Sequence, residues 1–249
     1  MRNWNRASNG ANMQNNVLEK KSIRSLRKKN NQDRNTLSLQ HLKRIYDLKR
    51  GEILRRLQEF KELWAKGTDE KIFEELSFCI FTPQSKARVC CNAIDRLRDT
   101  GLLFRGSDKE IAKRINDVRF KNKKAAYLVK ARNFFSKDGK VSIRSVLSQF
   151  KDSKVCREWL VKNITGLGYK EASHFLRNIG FVEEIAILDR HILKNLKNLR
   201  VIEEIPDSLS RTKYFNIEKK MSVFSEKMHI PLSHLDLILW YKETGEILK

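Results

Sequence analysis

From about Leu39 onward, apolar residues recur with the period of an α-helix. Leu42, Ile45, Tyr46 and Leu48 lead into Ile53, Leu54, Leu57 and Phe60. Ile72, Phe73, Leu76, Cys79 and Ile80 fall at i, i+1, i+4, i+7 and i+8, the single stripe of an amphipathic helix that Pro83 brings to an end. Ser107-Asp-Lys-Glu110 has the form of a capping box and opens another helix. The pattern predicts further helices over 121–135, 155–163 and 172–179, the last with Ala172, Phe175, Leu176 and Ile179 on one stripe. Ser233-His-Leu-Asp236 is expected to open a final helix carrying Leu237, Ile238, Leu239 and Trp240. No segment shows the sustained alternation of a strand, and no repeat of fixed period emerges. The predicted class is all-α.

Residues 1–37 break this pattern. They are rich in Asn, Arg, Lys and Ser, and residues 1–40 hold nine Lys/Arg against two acids. The expectation is a basic, disordered extension that adds unspecific affinity for phosphates, followed by a folded domain over 38–249. Over the whole 249 residues, 52 Lys+Arg stand against 30 Asp+Glu, a formal charge of +22. A hydrophobic content of 40% supplies a real core and excludes wholesale disorder. No apolar run approaches the roughly 18 residues that would span a bilayer. Only 3 Pro and 10 Gly argue against a turn-rich all-β chain. The charge calls for a polyanionic partner: nucleic acid first, an anionic membrane surface second. Cys79, Cys90, Cys91 and Cys156 form no C-x-x-C pair, and no His stands at zinc-finger spacing from them. They are expected to be free, mostly buried thiols of a protein in a reducing cytoplasm, with no metal site.

The stretch most suggestive of chemistry is Asn163-Ile-Thr-Gly166-Leu-Gly168-Tyr-Lys170-Glu-Ala172-Ser-His-Phe175. A helix ends, a turn with two glycines follows, and a second helix starts. Glycine permits positive φ and close approach by a phosphate, and Leu167 would plug back into the core. The free N–H groups of the second helix, with its positive end behind them, would then grip a DNA backbone without reading sequence. The spacing alone fits a plain helical turn equally well. Lys170 lies in the first turn of that second helix, and Asp189 follows in Ile187-Leu-Asp-Arg-His-Ile192. Alone, Lys170 reads as a solvated surface group. Asp189 reads as an N-cap for a helix over 190–196, as a functional carboxylate, or as both.

The hairpin, its lysine and the distal aspartate resemble the helix-hairpin-helix DNA glycosylase superfamily. Gly168-Tyr-Lys-Glu-Ala-Ser-His-Phe-Leu-Arg-Asn178, Asp189-Arg-His-Ile-Leu193 and the ending Trp240-Tyr-x-x-Thr-Gly-x-x-Leu-Lys249 resemble its small, mainly archaeal class of 8-oxoguanine DNA glycosylase/AP lyases. The likeness runs from about residue 45 to the end. The four-cysteine cluster of the endonuclease III branch is absent.

The resemblance implies a two-lobed all-α fold with the active-site cleft between lobes, Lys170 as nucleophile and Asp189 as catalytic carboxylate. Breaking an N-glycosidic bond leaves cationic character on the sugar, which an amine attacks and a carboxylate stabilises. A free lysine has a pKa of about 10.4, so it must be desolvated or set beside positive charge to act. The adduct becomes a Schiff base, and β-elimination cuts the strand. His174, on the same helix face as Lys170, would tune that lysine or serve as a structural histidine.

Chemistry on a stacked base requires its extrusion. By resemblance, Phe120 and Trp240 sandwich the base, though each is otherwise a plausible core aromatic. By the same resemblance Lys249 reads the lesion, whose N7–H donor replaces guanine's acceptor; otherwise it is a frayed residue. Gln84 would fill the vacated space or be only a turn residue after Pro83. Gly166, Gly168 and Arg190 are expected at the DNA, and Lys194, Lys121, Lys123 and Lys124 are weaker candidate phosphate contacts. The implied partner is double-stranded DNA containing 8-oxoguanine, bound by a monomer with no membrane. No cofactor is required, and a monovalent cation could sit at the hairpin. The alternatives are the same scaffold acting on another damaged base, and a noncatalytic helix-hairpin-helix DNA-binding protein.

Overall fold

A computed structural model describes residues 7–181 and 184–248, with side chains from residue 36 onward. The described residues form α1 (Ala7–Lys66), α2 (Asp69–Phe81), α3 (Ala87–Asp99), α4 (Leu102–Arg105), α5 (Asp108–Arg114) and α6 (Lys121–Phe135). A small ribbon of β1 (Ser136–Lys137) and β2 (Lys140–Val141) follows, paired antiparallel with Ser136 opposite Val141. Then come α7 (Ile143–Leu147), α8 (Ser153–Asn163), α9 (Tyr169–Asn178), α10 (Arg190–Asn198), α11 (Arg211–Met228) and α12 (Leu232–Thr244). The all-α expectation holds, with this ribbon as the one sheet among the described residues. No helix there is long and apolar enough to cross a membrane. The chain divides into two units, residues 1–48 and 49–249. Where the sequence predicts a disordered extension over 1–37, residues 7–37 form the first part of α1, and residues 1–6 lie outside the described residues.

Local chemistry sets the helix starts. Thr68, Ser107, Asp152, Asp189 and Ser210 each accept backbone N–H groups of the first turn of α2, α5, α8, α10 and α11. The box at Ser107 closes as the sequence predicts: Ser107 N–H donates to Glu110 Oε2 at 2.8 Å, and Glu110 N–H to Ser107 Oγ at 3.3 Å. Ser233 does not open the final helix as the sequence predicts. Pro231 is the N-cap of α12, and its carbonyl accepts from His234 and Leu235 N–H at 2.9 Å each. The helix therefore begins at Leu232, and Ser233 and Asp236 are buried within it.

α2 lies at the centre of the larger helix cluster. Ten of its residues are buried, and it packs on α3, α6, α7 and α9. Phe73, Phe78, Phe81, Leu128, Phe135, Leu160, Phe175 and Leu176 fill the space between them. Each such side chain contributes roughly 1.5–3 kcal/mol on burial. α10 and α11 pack on α12 as a second group. Gly180, just past α9, has φ +69°, and a Cβ there would stand 2.4 Å from the Phe60 carbonyl oxygen. Only glycine lets α9 end directly against the α1 backbone.

A buried polar network joins the two groups. Arg157 of α8, fully buried, donates to both Glu218 oxygens at 2.7 and 2.8 Å and to Ser173 Oγ at 3.0 Å. Glu218 Oε1 also accepts Ala186 N–H at 2.9 Å. The Tyr214 hydroxyl donates to the Ala186 carbonyl at 2.7 Å and accepts Leu188 N–H at 3.4 Å. The segment 185–188 is thus held through the backbone of Ala186 and Leu188, which fixes where Asp189 emerges.

Candidate active site

α8 and α9 form the expected hairpin, closed by the turn 164–168. Leu167 is buried, as its place between the glycines suggests, and its N–H donates to the Ile164 carbonyl at 3.2 Å. Gly166 has φ +95°, and a Cβ on it would come within 2.5 Å of Tyr127 Cδ2. Gly168 is the N-cap of α9, and its N–H donates to Glu171 Oε2 at 3.2 Å. Lys170 therefore sits in the first turn of α9, beside the positive helix end. Its ammonium lies 4.0 Å from Glu171 Oε1, and its side chain is mostly buried.

Asp189 is the N-cap of α10. Its Oδ1 accepts His191 and Ile192 N–H at 2.8 Å each. Its Oδ2 accepts the indole N–H of Trp240 at 3.2 Å. Three donors fix the carboxylate, and one of them ties it to α12. Trp240 is further framed by His191, edge-on at 6.4 Å between ring centroids. Asn195 strengthens the same joint by donating to the His191 and Leu239 carbonyls and to Glu243.

Lys170 and Asp189 open onto one small cleft, with Trp240 on its wall. His174, Arg177, Asp236 and Leu237 also line it. His174 is buried, edge-on to Phe78 at 5.6 Å. Asp236 and Arg177 are the members that sequence reading missed. They form a buried pair, Arg177 Nη2 lying 3.8 Å from Asp236 Oδ2. Burial pushes the Asp236 carboxyl up to about 6; Arg177 and Lys170 oppose that rise, and the Asp189 charge adds to it. The apolar stripe of α9 signals Arg177 poorly, because a charged residue on a buried face reads as exposed.

Phe120 and Gln84 are not among the cleft-lining residues. Both are exposed with left-handed backbones, φ 59° and 55°, on the turns before α6 and after α2. Lys124 corrects the sequence expectation. It is 4% exposed, and its ammonium donates to the Phe81 and Pro83 carbonyls at 2.6 Å each and to Ser85 Oγ at 3.1 Å. A lysine so buried and committed is no phosphate contact. Arg190 is exposed at the start of α10, and Lys123 is exposed on α6. Lys194 is exposed but paired with Glu243 at 2.7 Å. Lys249 lies outside the described residues. Among the described residues no group of three His, Cys, Asp or Glu is placed to hold a metal ion. Burial pushes the Cys90 and Cys156 thiols up to about 12, so both are inert at neutral pH.

A glycine-turned hairpin with a lysine beside its second helix end, facing a capped aspartate across a cleft, defines a helix-hairpin-helix protein built for chemistry on DNA. Residues 53–230 match the family model described as 8-oxoguanine DNA glycosylase, and the chain belongs to that family. A Fusobacterium nucleatum protein named 8-oxoguanine DNA glycosylase/AP lyase is 48% identical over 208 residues, covering 84% of this chain and 96% of that protein. The solved Methanocaldococcus jannaschii 8-oxoguanine glycosylase/lyase, in complex with a 15mer DNA containing 8-oxoguanine, superposes with a TM-score of 0.76 at 38% identity. It covers 84% of this chain and all of that one. The Thermotoga maritima 8-oxoguanine DNA glycosylase gives 0.76 at 33% identity, covering 85% and 98%.

Proposed function

We infer that this chain excises 8-oxoguanine from double-stranded DNA through a lysine Schiff base and then nicks the abasic strand. Lys170 is the nucleophile of this reading. Its neutral amine attacks C1′ of the damaged nucleotide, the C1′–N9 bond breaks, and the base leaves with the electron pair. The sugar opens to an imine on Lys170. Loss of a C2′ proton and cleavage of the C3′–O bond then complete β-elimination. Asp189 stabilises positive charge on the sugar as the base leaves. Nucleophile and carboxylate are both protein side chains, so this sequence of steps calls on no cofactor.

The observation that carries the reading is the shared cleft. Lys170 at the start of α9 and an Asp189 held by three N–H donors open onto the same space, with an indole fixed at its wall. Trp240 there offers a face for an extruded purine. Gly166 and Gly168 with the start of α9 would hold the backbone phosphates, with Arg190 beside them.

The test is a duplex with one 8-oxoguanine, followed for base release and strand scission. Wild type should do both, and borohydride should trap it covalently on the DNA. Lys170→Gln should not be trapped. Normal trapping by that variant would overturn the assignment of Lys170, and a wild type that releases no base would overturn the function.

A further inference from the structure

Of the five exposed non-glycine residues with left-handed backbone among the described residues, two lie on turns that hydrogen bonds join. One turn is Thr82-Pro-Gln-Ser85, between α2 and α3, with Gln84 at φ 55°. The other precedes α6, with Phe120 at φ 59° and the Arg119 guanidinium 5.0 Å from its ring centroid. Neither residue is a glycine, and such backbone is uncommon for both types. Something in the surrounding structure must hold it there.

Lys124 is what the two turns share. It belongs to the first turns of α6, and its own N–H donates to the Phe120 carbonyl at 3.0 Å. Its ammonium crosses to the other turn and spends its three donors on Phe81 O, Pro83 O and Ser85 Oγ. Ser85 Oγ returns the link by accepting Arg119 N–H at 3.1 Å. Phe81 is the last residue of α2, so the cation also meets a carbonyl that has no partner in its own helix. Burial lowers the Lys124 pKa, while Cys90 and Glu171 act electrostatically to raise it. Glu171 is the neighbour of Lys170, so the clamp stands within electrostatic reach of the first turn of α9.

We propose that Lys124 is a positioning residue for base extrusion: it locks the Gln84 turn to the Phe120 turn, so that both exposed residues meet the duplex as one rigid element. This rests on the glycosylase function inferred above. A side chain that replaces an extruded nucleotide must hold its place while the base swings out. A turn released from Lys124 loses that hold, and a substrate with no base to extrude reports separately on the chemistry at Lys170.

Three substrates separate these steps: 8-oxoguanine paired with cytosine, the same lesion opposite an abasic position, and a plain abasic site. Extrusion limits only the first, because the lesion is unpaired in the second and no base remains in the third. In single-turnover reactions at saturating enzyme, Lys124→Met should lower the rate on the paired lesion roughly ten- to hundredfold more than on the other two. Lys124→Arg should recover part of that difference. Ser85→Ala removes the shared acceptor while leaving Lys124 both carbonyls, and should show the same ordering more weakly. Should Lys124→Met fail to fold, the substrate ratio of Ser85→Ala decides. Equal losses on all three substrates, or no loss on any, overturn the proposal. A wild type that neither excises nor nicks overturns the function instead, a separable result.

Discussion

Asp189 does two jobs with two oxygens, and a substitution can separate them. Asparagine keeps an Oδ1 to cap α10 but turns an amide N–H₂ toward the Trp240 indole N–H, donor against donor. Asp189→Asn should therefore bind lesion DNA and lose roughly 10²–10⁴-fold in excision. Trp240→Phe keeps an aromatic face and gives up the hydrogen bond, so its loss should be smaller. Equal activity of Asp189→Asn and wild type, at equal stability, would make Asp189 a cap only. Asp236 supplies a pH prediction at the same scale. Burial raises its carboxyl from the usual 3.8 to about 6. The folded state thus holds that proton more tightly than the unfolded state. Its stabilising contribution is complete below about pH 4 and is lost as pH rises to about 6, an interval worth roughly 3 kcal/mol. Asparagine at 236 does not titrate. The stability of wild type relative to Asp236→Asn should therefore fall by about that amount between pH 4 and 7, measured by denaturant unfolding. A difference constant with pH would show that Arg177 keeps Asp236 ionised throughout.

At the scale of elements, the hairpin depends on one backbone conformation. Alanine at 166 meets two obstacles: φ +95° and a Cβ 2.5 Å from Tyr127 Cδ2. Gly166→Ala should cost about 1–3 kcal/mol and weaken DNA binding further. Tyr127→Ala in the same chain relieves the contact but not the φ, so it should restore only part; full recovery of melting temperature would show that the dihedral costs nothing. This hairpin was legible in the sequence because it is local: two glycines, a plug leucine and a lysine within a few residues. Asp189 was legible for the same reason, as a capping residue before a helical stripe. What was hidden is long-range. Arg157 finds Glu218 across 61 residues, and Lys124 finds Phe81 across 43. In a basic run such as Lys121-Asn-Lys-Lys124, nothing local marks which lysine turns inward. Ser233 shows the opposite failure, a good local cap signal overridden because Pro231 had already started the helix. α11 carries a usable signal in the Ser210 cap followed by the buried Tyr214, Ile217, Met221 and Phe224.

At the scale of the whole molecule, the formal charge of +22 sets how the enzyme meets DNA. Each phosphate that a cation neutralises releases counterion, so the logarithm of the binding constant falls by about 0.9 per contact with the logarithm of salt. Affinity for lesion duplex should fall steeply as salt rises, while single-turnover excision at saturating protein should change little, because the chemistry is buried from bulk ions. Residues 1–37 carry much of the positive charge of the N-terminal region and precede residues 53–230, which the family model matches. We propose that they add phosphate contacts without entering the chemistry. A chain lacking residues 1–37 should then show a shallower salt slope and wild-type saturating excision. An unchanged slope would place all the phosphate contacts in residues 38–249. A folded but inactive truncation would make residues 1–37 part of the catalytic unit.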